Sequence, residues 1–254
     1  GATLTTFDCR LQIVAIFAAL LAYGRVALIA RAMEEVLRRM GTDFQLSITQ
    51  DSVTDAQKRF AGFVYRLTTG ADLARLWLGL GEIIRQHGSV RQALVNWDNT
   101  EATDFRPLLT QLRSEVITAT PEFEERKGFR HFLSDPMGGS AIKRYCMLMR
   151  WMVRGPDEVD FGDWAQLGTE RLMLPLDTHI HRISRNLGLT SRATADWKTT
   201  AEITGGADAL SDDAEHGFFF QTLAARRPAG GRAAVGRYAE LRRPRDADES
   251  LGLR

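Results

Sequence analysis

The chain has 254 residues, long enough for one large or two modest domains whose core needs no disulfide or metal. Its 33 basic residues balance 32 acidic ones, so an overall polyanion-binding charge is absent, although a local basic face could bind phosphate. Cys9 and Cys146 are the only cysteines, which excludes a disulfide framework and any four-cysteine iron–sulfur or zinc site. We therefore expect a cytoplasmic protein without a cofactor or bound metal.

The N-terminal region predicts two helices. The longest apolar run, from Ile13 to Tyr23, is well short of the roughly 20 residues that a membrane-spanning helix needs, so it predicts a buried helix. Gly24 predicts a break after that helix, and an amphipathic helix follows with Gly41 as its C-cap.

Helical signals continue through the middle of the chain. GADLARLWLGLGEIIRQHG predicts a helix with Asp72 as its N-cap and Gly88 as its stop, although Gly79 and Gly81 weaken its regularity. DFRPLLTQLRSEVI predicts another helix, and no strand alternation persists for more than a few residues. We expect an all-α domain over residues 1–211. Residues 212–254 are rich in Arg, Ala, Gly and Asp, and we expect them to form a flexible or divergent basic tail.

The stretch SDPMGGSAIKR predicts a tight glycine turn before a helix. Gly138 and Gly139 let the backbone turn with its N–H groups bare, and Ser140 is a good N-cap. Such a turn at the positive end of a helix can bind a phosphate. The alternative is a turn that only joins two helices.

A lone lysine lies about one turn into that predicted helix. Lys143, Arg150 and Arg154 share one stripe of it, which is typical of a solvated helix face. The two arginines would also disfavour the ammonium form of Lys143 and so lower its pKa. A lysine of that kind is a candidate amine nucleophile.

The stretch LPLDTHIHRISRNLGL predicts a helix that begins after an aspartate. Asp177 stands at the N-cap position, where an aspartate contributes roughly 1 kcal/mol, so a purely structural role already explains it. His179 and His181 lie about 200° apart on a helix, which speaks against a shared metal. Arg182 and Arg185 extend a basic face along the same helix.

PLDTHIHRISRNLGL and, more loosely, GGSAIKR resemble two motifs of the helix-hairpin-helix DNA glycosylases. In that superfamily a glycine-rich hairpin leads into a helix that bears a catalytic lysine, and a later Asp-Thr-His segment bears a catalytic aspartate. The chain departs from it where DPMGGS replaces the usual L-P-G-V-G hairpin. The archaeal 8-oxoguanine glycosylases are most similar in style, with a modified hairpin and a long lysine-to-aspartate separation. The pattern from AALLAYGR through FVYRLTTGADL to DWKTT is closest to a widespread bacterial family known only as a domain of unknown function.

The resemblance implies a two-lobed, helix-hairpin-helix glycosylase-like domain with a central cleft in which Lys143 and Asp177 meet as catalytic residues. It implies a partner, double-stranded DNA with a damaged base, and no membrane or obligate protein partner. The implied DNA-binding residues are Gly138, Gly139, Ser140, Arg144, Arg150, Arg154, Arg182 and Arg185. The implied base pocket or wedge consists of Tyr23, Arg25, Trp151 and His179, with Gly24 between the first two.

The function implied is a DNA base-excision repair glycosylase that acts on an oxidised or otherwise damaged base. Lys143, in its neutral form, would attack the sugar C1′ of a nucleotide rotated out of the duplex and leave a Schiff base from which strand cleavage can follow. Asp177 would stabilise the cationic sugar and assist proton transfer. One alternative is a non-catalytic helical nucleic-acid-binding protein in which Asp177 only caps its helix. A structural or protein-interaction domain is the third class.

Overall fold

A computed structural model describes residues 6–210, with side chains described for residues 9–206. This part of the chain is mostly helical, which confirms the predicted all-α class. The α-helices are α1 (Thr6–Leu21), α2 (Val26–Met40), α3 (Phe44–Gln50), α4 (Val53–Arg59), α5 (Gly70–His87), α6 (Val90–Trp97), α7 (Arg106–Thr118), α8 (Lys127–Phe132), α9 (Lys143–Val153), α10 (Thr178–Asn186) and α11 (Trp197–Leu210), and a short 3-10 helix spans Ala165–Leu167. The predicted tail, residues 212–254, lies outside the described residues.

Among the described residues, the β-structure in a sheet is one two-stranded antiparallel hairpin. Strand β1 (Val64–Tyr65) pairs with β2 (Thr68–Thr69), and Arg66 at the turn has a positive φ of 55°. The prediction of helices alone missed the hairpin because each strand is only two residues long.

The first two helices are separated at Gly24 and the second ends at Gly41, as the sequence predicts, whereas α1 begins seven residues before Ile13 and ends two residues before Tyr23. Gly24 lies in the turn between them with φ +99°, and the N–H of Gly41 donates to the carbonyl of Leu37 as α2 ends. The side chains of Ile13 and Phe17 on α1 are fully buried, as the apolar run predicts. None of the helices that the structure describes is both long and apolar enough to span a bilayer.

Helix α5 is central to the larger core and packs against α3, α4, α6 and α7. Its two internal glycines allow that packing: a Cβ added at Gly81 would lie 2.0 Å from the carbonyl oxygen of Ile48, and one at Gly79 would lie 2.7 Å from Val116. The predicted N-cap, Asp72, is wrong by three residues. Thr69 is the N-cap, and its N–H donates to Oδ2 of Asp72 at 2.7 Å.

A second, smaller apolar cluster joins α10 and α11 to the chain that precedes α9. Buried Leu174 and Leu176 come from the segment before α10, and buried Ile203 comes from α11. Ala141 and Ile180 are partly buried against them. Because Ala141 and Leu176 each lie close in sequence to a predicted catalytic residue, this cluster brings the two parts of the site together.

Candidate functional site

The glycine turn before α9 is fixed to the start of α11. The carbonyl of Gly139, which has φ +79°, accepts the N–H of Trp197 at 3.0 Å, and Ser140 forms an isolated antiparallel bridge with Asp196. Gly138 donates its N–H to the carbonyl of Asp135 at 3.2 Å. The chain around the turn is thus partly paired, although Gly138, Gly139 and Ser140 are exposed.

Ser140 is not the N-cap of the lysine helix, which corrects the sequence prediction. Its backbone pairs with Asp196, and the helix begins three residues later, with Ile142 as N-cap and Lys143 as its first residue. Ile142 has φ +37° and ψ 36° although its β-branched side chain is buried. A left-handed conformation of this kind costs about 1–3 kcal/mol, and strained residues of this type cluster at active sites and ligand-binding sites.

Lys143 and Asp177 meet, although 34 residues separate them in the chain. The Nζ atom of Lys143 donates to Oδ2 of Asp177 at 3.1 Å, and the two side chains are 28% and 17% exposed. The other carboxylate oxygen of Asp177, Oδ1, accepts the N–H groups of His179 at 3.0 Å and Ile180 at 2.9 Å. The predicted N-cap role of Asp177 is confirmed, and a solvent-accessible amine faces its second oxygen.

Arg144, the residue after the lysine, is directed into the protein. Its guanidinium donates to the carbonyls of Leu20, at 2.6 Å, and His131, and its Cζ lies 5.3 Å from the ring centroid of Tyr23. The ring of His131 packs edge-on against Tyr23 with centroids 4.7 Å apart. Arg144 therefore joins the start of α9 to the end of α1, and its predicted DNA contact has to compete with these bonds.

Tyr23 is held against the β1–β2 hairpin from both sides. Its hydroxyl donates to the carbonyl of Tyr65 at 3.0 Å and lies 2.7 Å from Oγ1 of Thr68, and the Tyr65 hydroxyl donates back to the carbonyl of Tyr23. These residues were missed as partners, although the quoted motif FVYRLTTGADL contains them. Gly24 and Arg25 remain exposed at the turn that follows.

Arg150 and Arg154 share a buried carboxylate. Asp160 is fully buried, its Oδ2 lies 3.4 Å from Nε of Arg150, and it also pairs with Nε of Arg154. Burial raises the pKa of the Asp160 carboxyl, and the two arginines oppose that change. The repulsion on Lys143 that the basic stripe predicts is therefore offset by a carboxylate from the following loop.

The remaining predicted site residues differ in how exposed their side chains are. Trp151 is half-buried on α9, and its carbonyl accepts the N–H of Phe161 at 2.6 Å. His179, Arg182 and Arg185 are exposed along α10.

The second cysteine does not compete with the lysine as a nucleophile. Cys146 is buried one turn along α9, and burial raises the pKa of its thiol to about 12. Over the part of the chain that the structure describes, no three His, Cys, Asp or Glu side chains are grouped to hold a metal ion. His181 is buried with Nε2 3.0 Å from the carbonyl of Arg192, whereas His179 is exposed.

A family model described as "Protein of unknown function (DUF2400)" matches residues 5–213. Comparison with curated proteins gave no match, and comparison with solved structures gave none either. This family match gives no link to the helix-hairpin-helix glycosylases, so the resemblance to them stays a prediction.

Proposed function

The chain belongs to the DUF2400 family of proteins of unknown function, and from its site we propose that it is a DNA base-excision glycosylase with a lysine nucleophile. One observation supports this most strongly: a partly exposed amine, on Lys143, lies 3.1 Å from a carboxylate that a helix N-terminus fixes in place. Ordinary surface ion pairs contribute little stability. Stability alone therefore explains poorly why the pair of Lys143 and Asp177 lies next to the strained residue Ile142. A nucleophile and a base within hydrogen-bond reach are the minimum that amine catalysis needs.

The chemistry follows from these two groups. Oδ2 of Asp177 already accepts a hydrogen bond from Nζ of Lys143, so it is the acceptor for the proton that the amine loses. The neutral amine forms a bond to C1′ as the bond from C1′ to the base breaks. The base leaves with the bonding electrons and takes up the proton that Asp177 had accepted, which returns Asp177 to a carboxylate. Asp177 stabilises the positive charge that develops on the sugar. Opening of the sugar ring then gives a Schiff base, which is the intermediate of a lyase step.

The target nucleotide has to leave the duplex, because a sugar C1′ is not accessible to a lysine inside stacked DNA. In this proposal Tyr23 and exposed Arg25, close to the start of α9 through Arg144, contact the duplex where the nucleotide leaves. Trp151 and His179 belong to the predicted base pocket. The central cleft between two lobes is part of the same proposal.

Borohydride trapping tests the proposal directly. We expect a covalent protein–DNA adduct with at least one member of a panel of duplexes that contain an abasic site, 8-oxoguanine or other damaged bases. Lys143→Arg is the matched variant, because it keeps a cation beside Asp177 and cannot form a Schiff base. No adduct with the folded wild-type protein across the panel would contradict the proposal, and an adduct that persists in Lys143→Arg would show a different nucleophile.

The second candidate is a helical nucleic-acid-binding protein without catalysis. The specific observation in its favour is that both oxygens of Asp177 have partners, two backbone N–H groups and Lys143, as a purely structural aspartate would. Asp177→Asn separates the two candidates, because asparagine is also a good N-cap. Glycosylase function predicts that this variant binds DNA and loses turnover, whereas the second candidate predicts salt-sensitive binding and no turnover even in the wild type.

A further inference from the structure

The C-terminal half of α10 and the loop after it form an open cavity that is separate from the ion pair of Lys143 and Asp177. Its volume is about 590 Å³. The polar side chains that line it are His181, Arg182, Arg185, Asn186, Thr190 and Ser191.

The chemistry of this lining favours an anion. Two guanidinium groups, an amide and two hydroxyls supply donors, and the lining contains no carboxylate. Arg182 and Arg185 are exposed, and within residues 6–210 neither side chain has an ion pair or hydrogen bond. By contrast, the nearby Arg192 is already paired with Asp196 at 2.8 Å. Uncompensated arginines among neutral donors match the charge and the oxygen atoms of a phosphate group.

The position of the cavity along α10 gives its distance from the ion pair of Lys143 and Asp177. A helix rises about 1.5 Å per residue, so Arg182 and Arg185 lie roughly 7–12 Å along the axis from Asp177. Successive nucleotides of one DNA strand are about 3.4 Å apart along the duplex axis. With α10 running along the duplex axis, the cavity would lie about two to three nucleotides from a sugar held at Lys143, which contacts Asp177.

We propose that this cavity binds phosphate groups of the DNA backbone two to three nucleotides from the nucleotide at Lys143. The inference rests on the proposed function for its register, and it adds Asn186 at the end of α10 and the loop residues Thr190 and Ser191 to the DNA contact. The same phosphate chemistry could also come from a free phosphate or a mononucleotide, and the experiment below separates these sources.

The first measurement is the salt dependence of binding to an undamaged duplex, with the full chain. Each phosphate contact contributes about 0.9 to the slope of log K against log salt, so Arg182→Gln/Arg185→Gln should lower the slope by about 1.8 and weaken binding roughly 10- to 100-fold at about 0.1 M salt. Arg38→Gln/Lys58→Gln is the control matched in charge, although Arg38, unlike the cavity arginines, is paired with Glu35 at 2.7 Å. It also removes two exposed cations, and Arg38 lies about 20 Å along α2 from Arg25. An unchanged slope in the cavity variant, or an equal loss in the control, would overturn the proposal.

The second measurement tests the register. Single neutral methylphosphonates are placed at each position up to about five nucleotides on either side of an abasic site. Wild-type binding should weaken most for positions about two to three nucleotides away, and the cavity variant should be insensitive at those positions. Sensitivity that is confined to other positions, or that survives in the variant, would overturn the assigned register.

A third measurement identifies the source of the phosphate. Inorganic phosphate and a deoxynucleoside monophosphate are titrated at constant ionic strength. Only weak competition with the duplex supports the backbone as ligand, whereas saturable binding that depends on Arg182 and Arg185 in a protein that binds no duplex would overturn it. Failure of the proposed function is distinguishable, because a slope change without any borohydride adduct keeps the cavity and rejects the glycosylase. A borohydride adduct without a slope change keeps the glycosylase and rejects the cavity as a phosphate site.

Discussion

The guanidinium of Arg144 lies over the ring of Tyr23, with its Cζ 5.3 Å from the ring centroid, although Arg144 is on α9 and Tyr23 is in the turn between α1 and α2. The same guanidinium donates to two backbone carbonyls, those of Leu20 and His131. Lys143 precedes Arg144 directly, so the position of the proposed nucleophile depends on this contact between α9 and the end of α1.

Arg144→Gln is expected to destabilise the fold by about 2–4 kcal/mol. Glutamine cannot reach both carbonyls or replace the charge over Tyr23, and a polar group left unsatisfied in a buried setting costs about 1–3 kcal/mol. Urea unfolding followed by circular dichroism measures the change. Arg130→Gln is the matched control, since Arg130 is exposed on α8 and the substitution should cost less than about 0.5 kcal/mol. Equal effects of the two substitutions would contradict the internal role of Arg144.

Gly81→Ala should destabilise the protein even though alanine is the better helix former. The added Cβ would lie 2.0 Å from the backbone carbonyl oxygen of Ile48, so α3 and α5 would have to separate. We expect a loss of more than about 2 kcal/mol, against a gain of about 1 kcal/mol from helix propensity alone. Gly205→Ala on α11 is the control, because nothing lies within 4 Å of its added Cβ, and it should stabilise by about 0.5–1 kcal/mol. Thermal unfolding of both variants would show opposite signs.

These glycines show where sequence periodicity is informative and where it is not. The apolar stripes and capping residues predict most helices, and Asp177 is a correct N-cap because local hydrogen bonding decides that position. Gly79 and Gly81 look like weak points of α5, yet they permit close packing, which depends on helices that come from elsewhere in the chain. The N-cap at Ser140 failed for the same reason, because its backbone pairs with Asp196, far along the chain.

Some residues of the candidate site could also be predicted from the sequence, and others could not. The motif around Asp177 and the lysine that precedes it could be selected from sequence, and the structure brings them together. The carboxylate of Asp160, which neutralises two arginines predicted to contact DNA, could not be selected, because GPDEVDFGD contains several acidic residues with no periodicity to distinguish the buried one. Tyr65 likewise depends on a hairpin too short to predict.

His131 should make stability depend on pH below neutrality. Burial lowers the pKa of its imidazole from the ordinary 6.5, and the positive charges of Arg144 and Arg66 lower it further. As the pH falls through about 6.5 the unfolded chain takes up a proton that the native protein excludes, so the free energy of unfolding decreases with falling pH until the native imidazole also protonates.

His131→Phe keeps a ring beside Tyr23 and removes this titration, so its free energy of unfolding should fall less between about pH 7 and pH 5 than that of the wild type. Urea titrations at several pH values measure the difference. Arg66→Gln removes one of the repelling charges and should reduce the dependence in part. A wild-type slope that the His131 substitution leaves unchanged would assign the pH dependence to other groups.

Two substitutions of Asp177 should differ in stability because only one of them keeps the helix cap. Asp177→Ala removes the acceptor for the N–H groups of His179 and Ile180 as well as the partner of Lys143, and we expect a loss of about 1–2 kcal/mol. Asp177→Asn keeps the cap and loses only a partly exposed ion pair, so its cost should stay below about 1 kcal/mol. Thr178→Ala, at an exposed neighbour, serves as the control in the same urea titrations. If asparagine proves as costly as alanine, the charge on Asp177 contributes more to the fold than the cap does. A loss of turnover in Asp177→Asn then could not be assigned to chemistry alone.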